Sequence, residues 1–100
     1  MLTVARYEPK INCVKRNRFL ELRYFCLQYP ALKTERPAAA ALIERAAALA
    51  DGELSAFLID HVTNGTSYDV LRNVSDMPAG KDRFYASRRK FFKILDRLRG

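Results

Sequence analysis

Apolar residues recur along this chain at intervals of three and four, the period of an amphipathic α-helix. The clearest run is Leu54, Phe57, Leu58 and Val62. No segment alternates apolar and polar residues between tight turns, as a half-buried β-strand would. The pattern therefore predicts an all-α fold.

Prolines, glycines and capping residues divide the pattern into five predicted helices, which make a small five-helix bundle. Pro9 suits a first helical turn, and Pro30 is expected to stop the first helix. The predicted helices are residues 9–29, residues 35–50, residues 52–63, a short segment ending near residue 74, and a last helix beginning at residue 81.

The predicted helix ends rest on capping chemistry. Thr34 is the predicted N-cap of the second helix, and Gly65 the C-terminal stop of the third. Thr66 with Asp69 three residues later has capping-box spacing for the fourth helix, and Gly80 is an acceptable N-cap for the fifth.

The first predicted helix is apolar on two sides. One face carries Ile11, Leu22, Phe25, Cys26 and Tyr29, and the other carries Cys13, Leu20, Tyr24 and Leu27. A single thin layer cannot bury both faces. The helix is therefore expected either to lie centrally in the bundle or to meet a second subunit in a homodimer.

Length and composition favour one domain of 100 residues, about half of them apolar. Residues 1–50 would supply packing helices and residues 51–100 a helix-turn-helix unit. No run reaches the ~18 apolar residues of a membrane span, and the first residues lack a signal-peptide pattern. These features, with two cysteines expected to stay reduced, predict a soluble protein of the cytoplasm.

Catalytic and metal chemistry have little support in the sequence. His61 is the only histidine, and no cysteine or histidine pair has metal-ligand spacing. Serines and carboxylates do not form a nucleophile elbow, an acid pair or a phosphate loop. The prediction is a non-enzymatic protein without metal or cofactor.

The excess positive charge lies at the C-terminal end. Residues 81–100 contain eight Lys or Arg and two Asp, which is +6 of the chain's net +7. A basic helix on a nearly neutral domain is typical of proteins that bind the phosphate backbone of nucleic acid. A short capped helix, a turn over residues 75–80 and this basic helix together match a helix-turn-helix.

On a helical wheel, Phe84, Phe91, Leu95 and Leu98 form the core stripe of the basic helix. The polar side is expected to meet duplex DNA. The predicted DNA-contact residues are Lys81, Arg83, Tyr85, Ala86, Arg88, Arg89, Lys90 and Lys93.

The first turns of a recognition helix contact base edges in the major groove. Arg83 and Arg89 are candidates for guanine readout, since arginine binds guanine in bidentate fashion. Lys81 and Tyr85 are suited to phosphates, and the small Ala86 permits close approach to the groove.

Farther along the helix, Lys90 and Lys93 are expected to follow the DNA backbone. Arg88 lies near the apolar stripe, so its stem is expected to pack while its guanidinium reaches outwards.

The segment MPAGKDRFYASRRKFFKILDRL, residues 77–98, resembles the C-terminal signature of phage-encoded regulators of the RinA/ArpU type. The matching residues are Pro78, Gly80, Phe84, Tyr85, Arg88, Arg89, Phe91, Phe92 and Leu95. Upstream, ELRYFCLQYPALK, residues 21–33, is similar to an N-terminal block of small phage proteins in Gram-positive bacteria.

The resemblance implies a helical protein whose C-terminal half is similar to region 4 of sigma-70 factors. It also implies a phage or prophage transcriptional regulator, typically of late genes, that binds duplex DNA in the cytoplasm of a bacterial host. A single small helix-turn-helix buries too little surface for tight specific binding at physiological salt, so a homodimer or a partnership with RNA polymerase is expected.

Two other readings of the basic helix remain open. It could meet an acidic protein surface, as in an RNA polymerase-binding module or a packaging component like a terminase small subunit. It could also lie on an anionic membrane, but its core stripe already accounts for its apolar residues and no lipidation motif is present. The predicted partners therefore do not include a membrane.

Overall fold

The computed structural model describes residues 15–100, which form six α-helices and one 3₁₀ turn and include no β-strand. The elements are α1 (Arg16–Leu27), α2 (Tyr29–Glu35), α3 (Pro37–Ala50), the 3₁₀ turn (Gly52–Leu54), α4 (Ser55–Asn64), α5 (Tyr68–Asn73) and α6 (Lys81–Arg99). The all-α prediction is confirmed, with six helices in place of five. Residues 9–14 of the first predicted helix lie outside the described residues.

The additional helix is α2, and it arises at the proline expected to end α1. Pro30 occupies the first turn of α2, where a missing backbone N–H costs no hydrogen bond. The chain therefore turns at Gln28 and continues as helix. The prediction of Thr34 as an N-cap was wrong, because Thr34 lies inside α2 and Arg36 is the N-cap residue of α3.

Other predicted helix ends are confirmed or shifted by one residue. Gly65 ends α4 in the left-handed conformation, with a φ of 76°, and Gly80 is the N-cap residue of α6. Ser67, and not Thr66, caps α5, since its Oγ accepts a hydrogen bond from the Val70 amide at 3.3 Å. Thr66 donates its hydroxyl hydrogen to Asp60 at 2.8 Å instead.

The core lies where α6 packs along α3, the most extensive interface between helices. Alanine gives α3 high helix propensity and a thin buried side that lets the larger residues of α6 come close. The buried residues of α3 are Ala40, Ile43, Ala46, Ala47 and Ala50. Of the predicted core stripe of α6, Phe84, Phe91 and Leu95 are completely buried and Leu98 is half-buried. Phe92, outside that stripe, is also buried.

Helix α1 has one buried and one exposed apolar side. Leu22, Phe25 and Cys26 are buried, whereas Leu20, Tyr24 and Leu27 are exposed. Burial raises the pKa of the Cys26 thiol to about 12, so the thiol is protonated at neutral pH. Cys26 is a free cysteine. The second cysteine, Cys13, lies outside the described residues.

An ion pair fixes α1 against the distal half of α6. Arg18 donates from Nε to Asp96 at 2.5 Å and contacts Glu21 within α1 at 3.3 Å. None of the helices from residue 15 onwards is long and apolar enough to cross a membrane.

Candidate nucleic-acid interface

The outward side of α6 carries a continuous band of positive charge, called here the basic face. Its members are Arg89, Lys90, Lys93 and Arg97. At about 100° per residue they fall within about 100° of the helix circumference. Arg89 is half-buried at the edge and the others are exposed. None of the four lies within 4 Å of a carboxylate of residues 15–100.

The first turn of this side is less basic. Asp82 and Ala86 are both exposed there. Asp82 lies in the first turn of α6, where a carboxylate interacts favourably with the helix dipole. Ala86 presents a small side chain in the middle of the outward side, as the wheel predicts. The helix surface is therefore shallow near Ala86 and positive beyond it.

Arg83, a predicted base-reading residue, is held by two carboxylates. Its Nε and Nη2 donate to the two oxygens of Asp51 at 3.1 and 3.0 Å, and Nη2 also donates to Glu53 at 2.8 Å. The hydrogen bonds to Asp51 and then to Glu53 raise the pKa of Arg83. This geometry joins the start of α6 to the end of α3 and engages Nε and Nη2, two of the three nitrogens with which Arg83 could contact guanine.

Asp51 is the centre of this connection. Its carboxylate also accepts a hydrogen bond from the buried Ser87 hydroxyl at 2.9 Å and one from the Leu54 amide at 3.4 Å. Burial opposes ionisation of Asp51, but hydrogen bonds from Arg83 and Ser87 outweigh it and hold the pKa below its ordinary value. Sequence reasoning missed this residue because its partners in α6 lie more than thirty positions away.

The guanidinium of Arg88 does not reach outwards, although the sequence predicted that it would. Its guanidinium lies over the rings of Phe19 and Phe92, at 5.7 and 5.4 Å from their centroids. Its Nε is buried and has no hydrogen-bond partner among residues 15–100. Burial, followed by the neighbouring charge of Arg23, lowers its pKa. The guanidinium therefore packs between aromatic rings instead of reaching outwards.

Lys81 and Tyr85 lie together at the N-terminal end of α6, beside α5. The Tyr85 ring is 6.2 Å from the Tyr68 ring and 5.0 Å from the Phe84 ring, and Lys81 Nζ is 5.9 Å from the Tyr68 centroid. Tyr68 also donates to the Ala79 carbonyl at 3.4 Å. Tyr68, not predicted as a site residue, thus supports both candidates.

The connection between α5 and α6 is held by specific contacts. Met77 is buried, its amide donates to the Leu71 carbonyl at 3.0 Å, and its own carbonyl accepts from Arg72 at 3.0 Å. Asp76 takes a φ of 56°, a left-handed conformation that aspartate tolerates better than most residues. Residues 74–80 therefore fix where α6 begins relative to α5.

The residues with chemistry outside this surface do not gather into a metal site. Over residues 15–100, no three His, Cys, Asp or Glu side chains come together as potential ligands. His61 lies against the Phe84 ring at 5.0 Å, and its Nδ1 is 2.7 Å from the Thr66 carbonyl oxygen.

The fold and this surface define a small all-α protein with a basic C-terminal helix. No protein family model matches the chain, and neither does any curated protein or solved structure.

Proposed function

We propose that this protein binds duplex DNA through α6 and acts as a transcriptional regulator. The observation that carries the proposal is the basic face, whose four positive side chains have no carboxylate partner among residues 15–100. Unpaired lysines and arginines in a row release counterions from DNA when they contact phosphates, and this release supplies most of the non-specific affinity.

The side chains of α6 fall into two groups, those available to contact DNA and those already engaged in contacts within the protein. Lys81 and Tyr85 would contact DNA at the N-terminal end of the helix, and Arg89 with Lys90 and Lys93 would follow the backbone. Ala86 leaves room for α6 to approach the major groove. Arg83 would hold α6 in place through Asp51 and Glu53, and Arg88 would not touch DNA from the basic face.

Helices α5 and α6 would serve as a helix-turn-helix, with α5 crossing the backbone and α6 in the groove. Their connection, residues 74–80, is longer than the usual turn of three or four residues. Its hydrogen bonds through Met77 give the longer connection a defined shape. The resemblance to RinA/ArpU-type regulators, which end in a region similar to sigma-70 region 4, supports the same assignment.

A single small module buries too little surface for tight specific binding at physiological salt. The proposed regulator therefore acts as a homodimer or together with RNA polymerase. The exposed side chains of Leu20, Tyr24 and Leu27 on α1 supply an apolar surface for a second copy.

The proposal is tested with two charge-matched double variants. Lys90→Gln with Lys93→Gln removes two charges from the basic face, and Lys33→Gln with Arg45→Gln removes two exposed charges from α2 and α3. The first pair should weaken binding to a fluorescent duplex and reduce the slope of log K against log salt by about 2, one for each lost phosphate contact. Equal effects from both pairs would overturn the proposal, since the basic face would then have no special role.

The second candidate function is an interaction module for an acidic protein partner, such as RNA polymerase or a phage packaging complex. The long connection before α6 and the exposed apolar side of α1 favour it. If the wild-type protein does not bind duplex DNA, and the Lys90 and Lys93 variants lose binding to polymerase, this candidate replaces the first.

A further inference from the structure

A small cleft lies between α1, the end of α4 and the inner edge of α6, away from the basic face. It has a volume of about 140 Å³ and is lined by Arg23, Leu27, His61, Val62, Gly65, Arg88 and Phe92. In the liquid, water takes about 30 Å³ per molecule, so the cleft has room for an anion of a few heavy atoms.

The cleft carries positive charge from two arginines that have no carboxylate partner in the part of the chain that the structure describes. Arg23 and Arg88 both line it, and neither forms an ion pair with a carboxylate of residues 15–100. The charge of Arg23 lowers the pKa of both Arg88 and His61, and the charge of Arg88 lowers the pKa of His61. The two arginines therefore act on the same small region, and neither has a carboxylate partner among the described residues.

Arg88 is half-buried, and partial burial makes an unpaired charge costly. A buried guanidinium is normally paired or hydrogen-bonded, because losing water is expensive for a charge. The Nε of Arg88 is closed off without an acceptor among residues 15–100, and the rings of Phe19 and Phe92 cover its faces. Because Arg88 is only partly buried and lines the cleft, an anion bound there would offset its charge without reaching the closed-off Nε.

His61 adds a group that can respond to an anion. Burial has the largest effect on its pKa and lowers it. The hydrogen bond with the Thr66 carbonyl raises the pKa, the charges of Arg88 and Arg23 lower it, and the charge of Asp60 raises it. With Nδ1 donating to that carbonyl, Nε2 carries a lone pair when the ring is neutral. A bound anion would favour the protonated ring, in which Nε2 becomes a second donor.

We propose that Arg23, Arg88 and His61 form an anion-binding cleft that takes a phosphate group. Two arginines suit a phosphate because the guanidinium fork matches its oxygen atoms. The phosphate could belong to a small phosphorylated compound or to a DNA backbone. The site is separate from the basic face, so this proposal does not rest on DNA binding through α6.

The first test uses isotope-labelled protein without DNA and follows the Nε–H signal of Arg88 and the ring signals of His61 by NMR. Inorganic phosphate, titrated against chloride at constant ionic strength, should move both signals along a saturable curve and raise the pKa of His61. Arg23→Gln should weaken phosphate binding about tenfold or more through the lost charge-assisted contacts. Arg45→Gln, an equal change at an exposed site on α3, should leave it unchanged.

The variant of the basic face separates this proposal from the preceding one. Lys90→Gln with Lys93→Gln should keep phosphate binding in the cleft, whatever it does to duplex binding. If Arg23→Gln also weakens duplex binding, the phosphate is that of the DNA backbone. If Arg23→Gln leaves duplex binding intact, the ligand is a small phosphorylated compound. A linear, unsaturated change of the NMR signals with phosphate, or the same change in Arg23→Gln and wild type, would overturn the proposed phosphate site.

Discussion

Asp51 is expected to be the most sensitive polar residue of the fold, because one carboxylate holds three elements. It caps the 3₁₀ turn through Leu54 and accepts from Ser87 and Arg83 of α6. Its side chain is only 15% exposed. Replacement of Asp51 by alanine would therefore free the start of α6 from the end of α3.

The magnitude follows from two of these contacts. Losing a side-chain cap costs about 1 kcal/mol, and leaving the buried Ser87 hydroxyl without its acceptor costs about 1–3 kcal/mol. The exposed ion pair with Arg83 adds little, since water screens it. Asp51→Ala should therefore lower the free energy of unfolding by about 2–4 kcal/mol.

Urea denaturation followed by circular dichroism at 222 nm measures this change. Glu53→Gln is the control, because Glu53 contacts only the exposed side of Arg83 and is itself 61% exposed, so stability should hardly change. The double variant Asp51→Ala with Ser87→Ala should lose less than the sum of the single variants, since the pair shares one hydrogen bond. A loss below about 0.5 kcal/mol for Asp51→Ala, the range of ordinary surface substitutions, would refute this reasoning.

The same residue gives the protein a pH dependence with a definite sign. The folded-state pKa of Asp51 lies below its ordinary value of 3.8. Its contribution to stability is therefore fully present above that value and is lost as the pH falls through the lower, folded-state pKa. In Asp51→Ala the acid limb of the stability curve should be flatter over this range; an unchanged acid limb would contradict the assignment.

The remaining predictions concern three other sites. Gly65→Ala should destabilise the fold by about 1 kcal/mol, because Gly65 alone among the internal glycines takes a left-handed φ; Gly52→Ala, at a site with open space and no such φ, is the control in the same thermal melts. Arg88→Met should leave stability unchanged or raise it by about 1 kcal/mol in phosphate-free buffer, since a half-buried unpaired charge is replaced by an apolar side chain; a large loss would show that the guanidinium is well compensated. Leu27→Lys should shift a homodimer towards monomer in light scattering with little change in melting temperature, because Leu27 is 47% exposed on α1; an unchanged mass distribution would remove α1 from the interface.

Local signals predicted the ends and the core of the helices well. Gly65 and Gly80 mark helix termini through backbone chemistry that acts within a few residues. The burial of Phe84, Phe91 and Leu95 follows from their spacing alone. Pro30 marked the end of α1 to within a few residues, but a proline can also begin a helix, and the sequence did not show that α2 starts there.

The candidate interface was less predictable because tertiary contacts decide which charges are available. Arg83 lies on the flank of α6 and meets Asp51, 32 residues earlier. The position of Arg88 near the apolar stripe predicted its packed stem, but not that the rings of Phe19 and Phe92 would cover its charge. The exposure of Lys90 and Lys93, by contrast, could be inferred from the wheel.

DNA binding by α6 is tested most directly by fluorescence anisotropy with wild-type protein. The protein is titrated with duplex from upstream of its own gene and with a scrambled duplex of equal length, each at two salt concentrations. A sequence-reading regulator should bind the native duplex more tightly, with affinity falling steeply as salt rises. Equal, weak binding to both duplexes would contradict the proposed function and leave an acidic protein as the partner of the basic face.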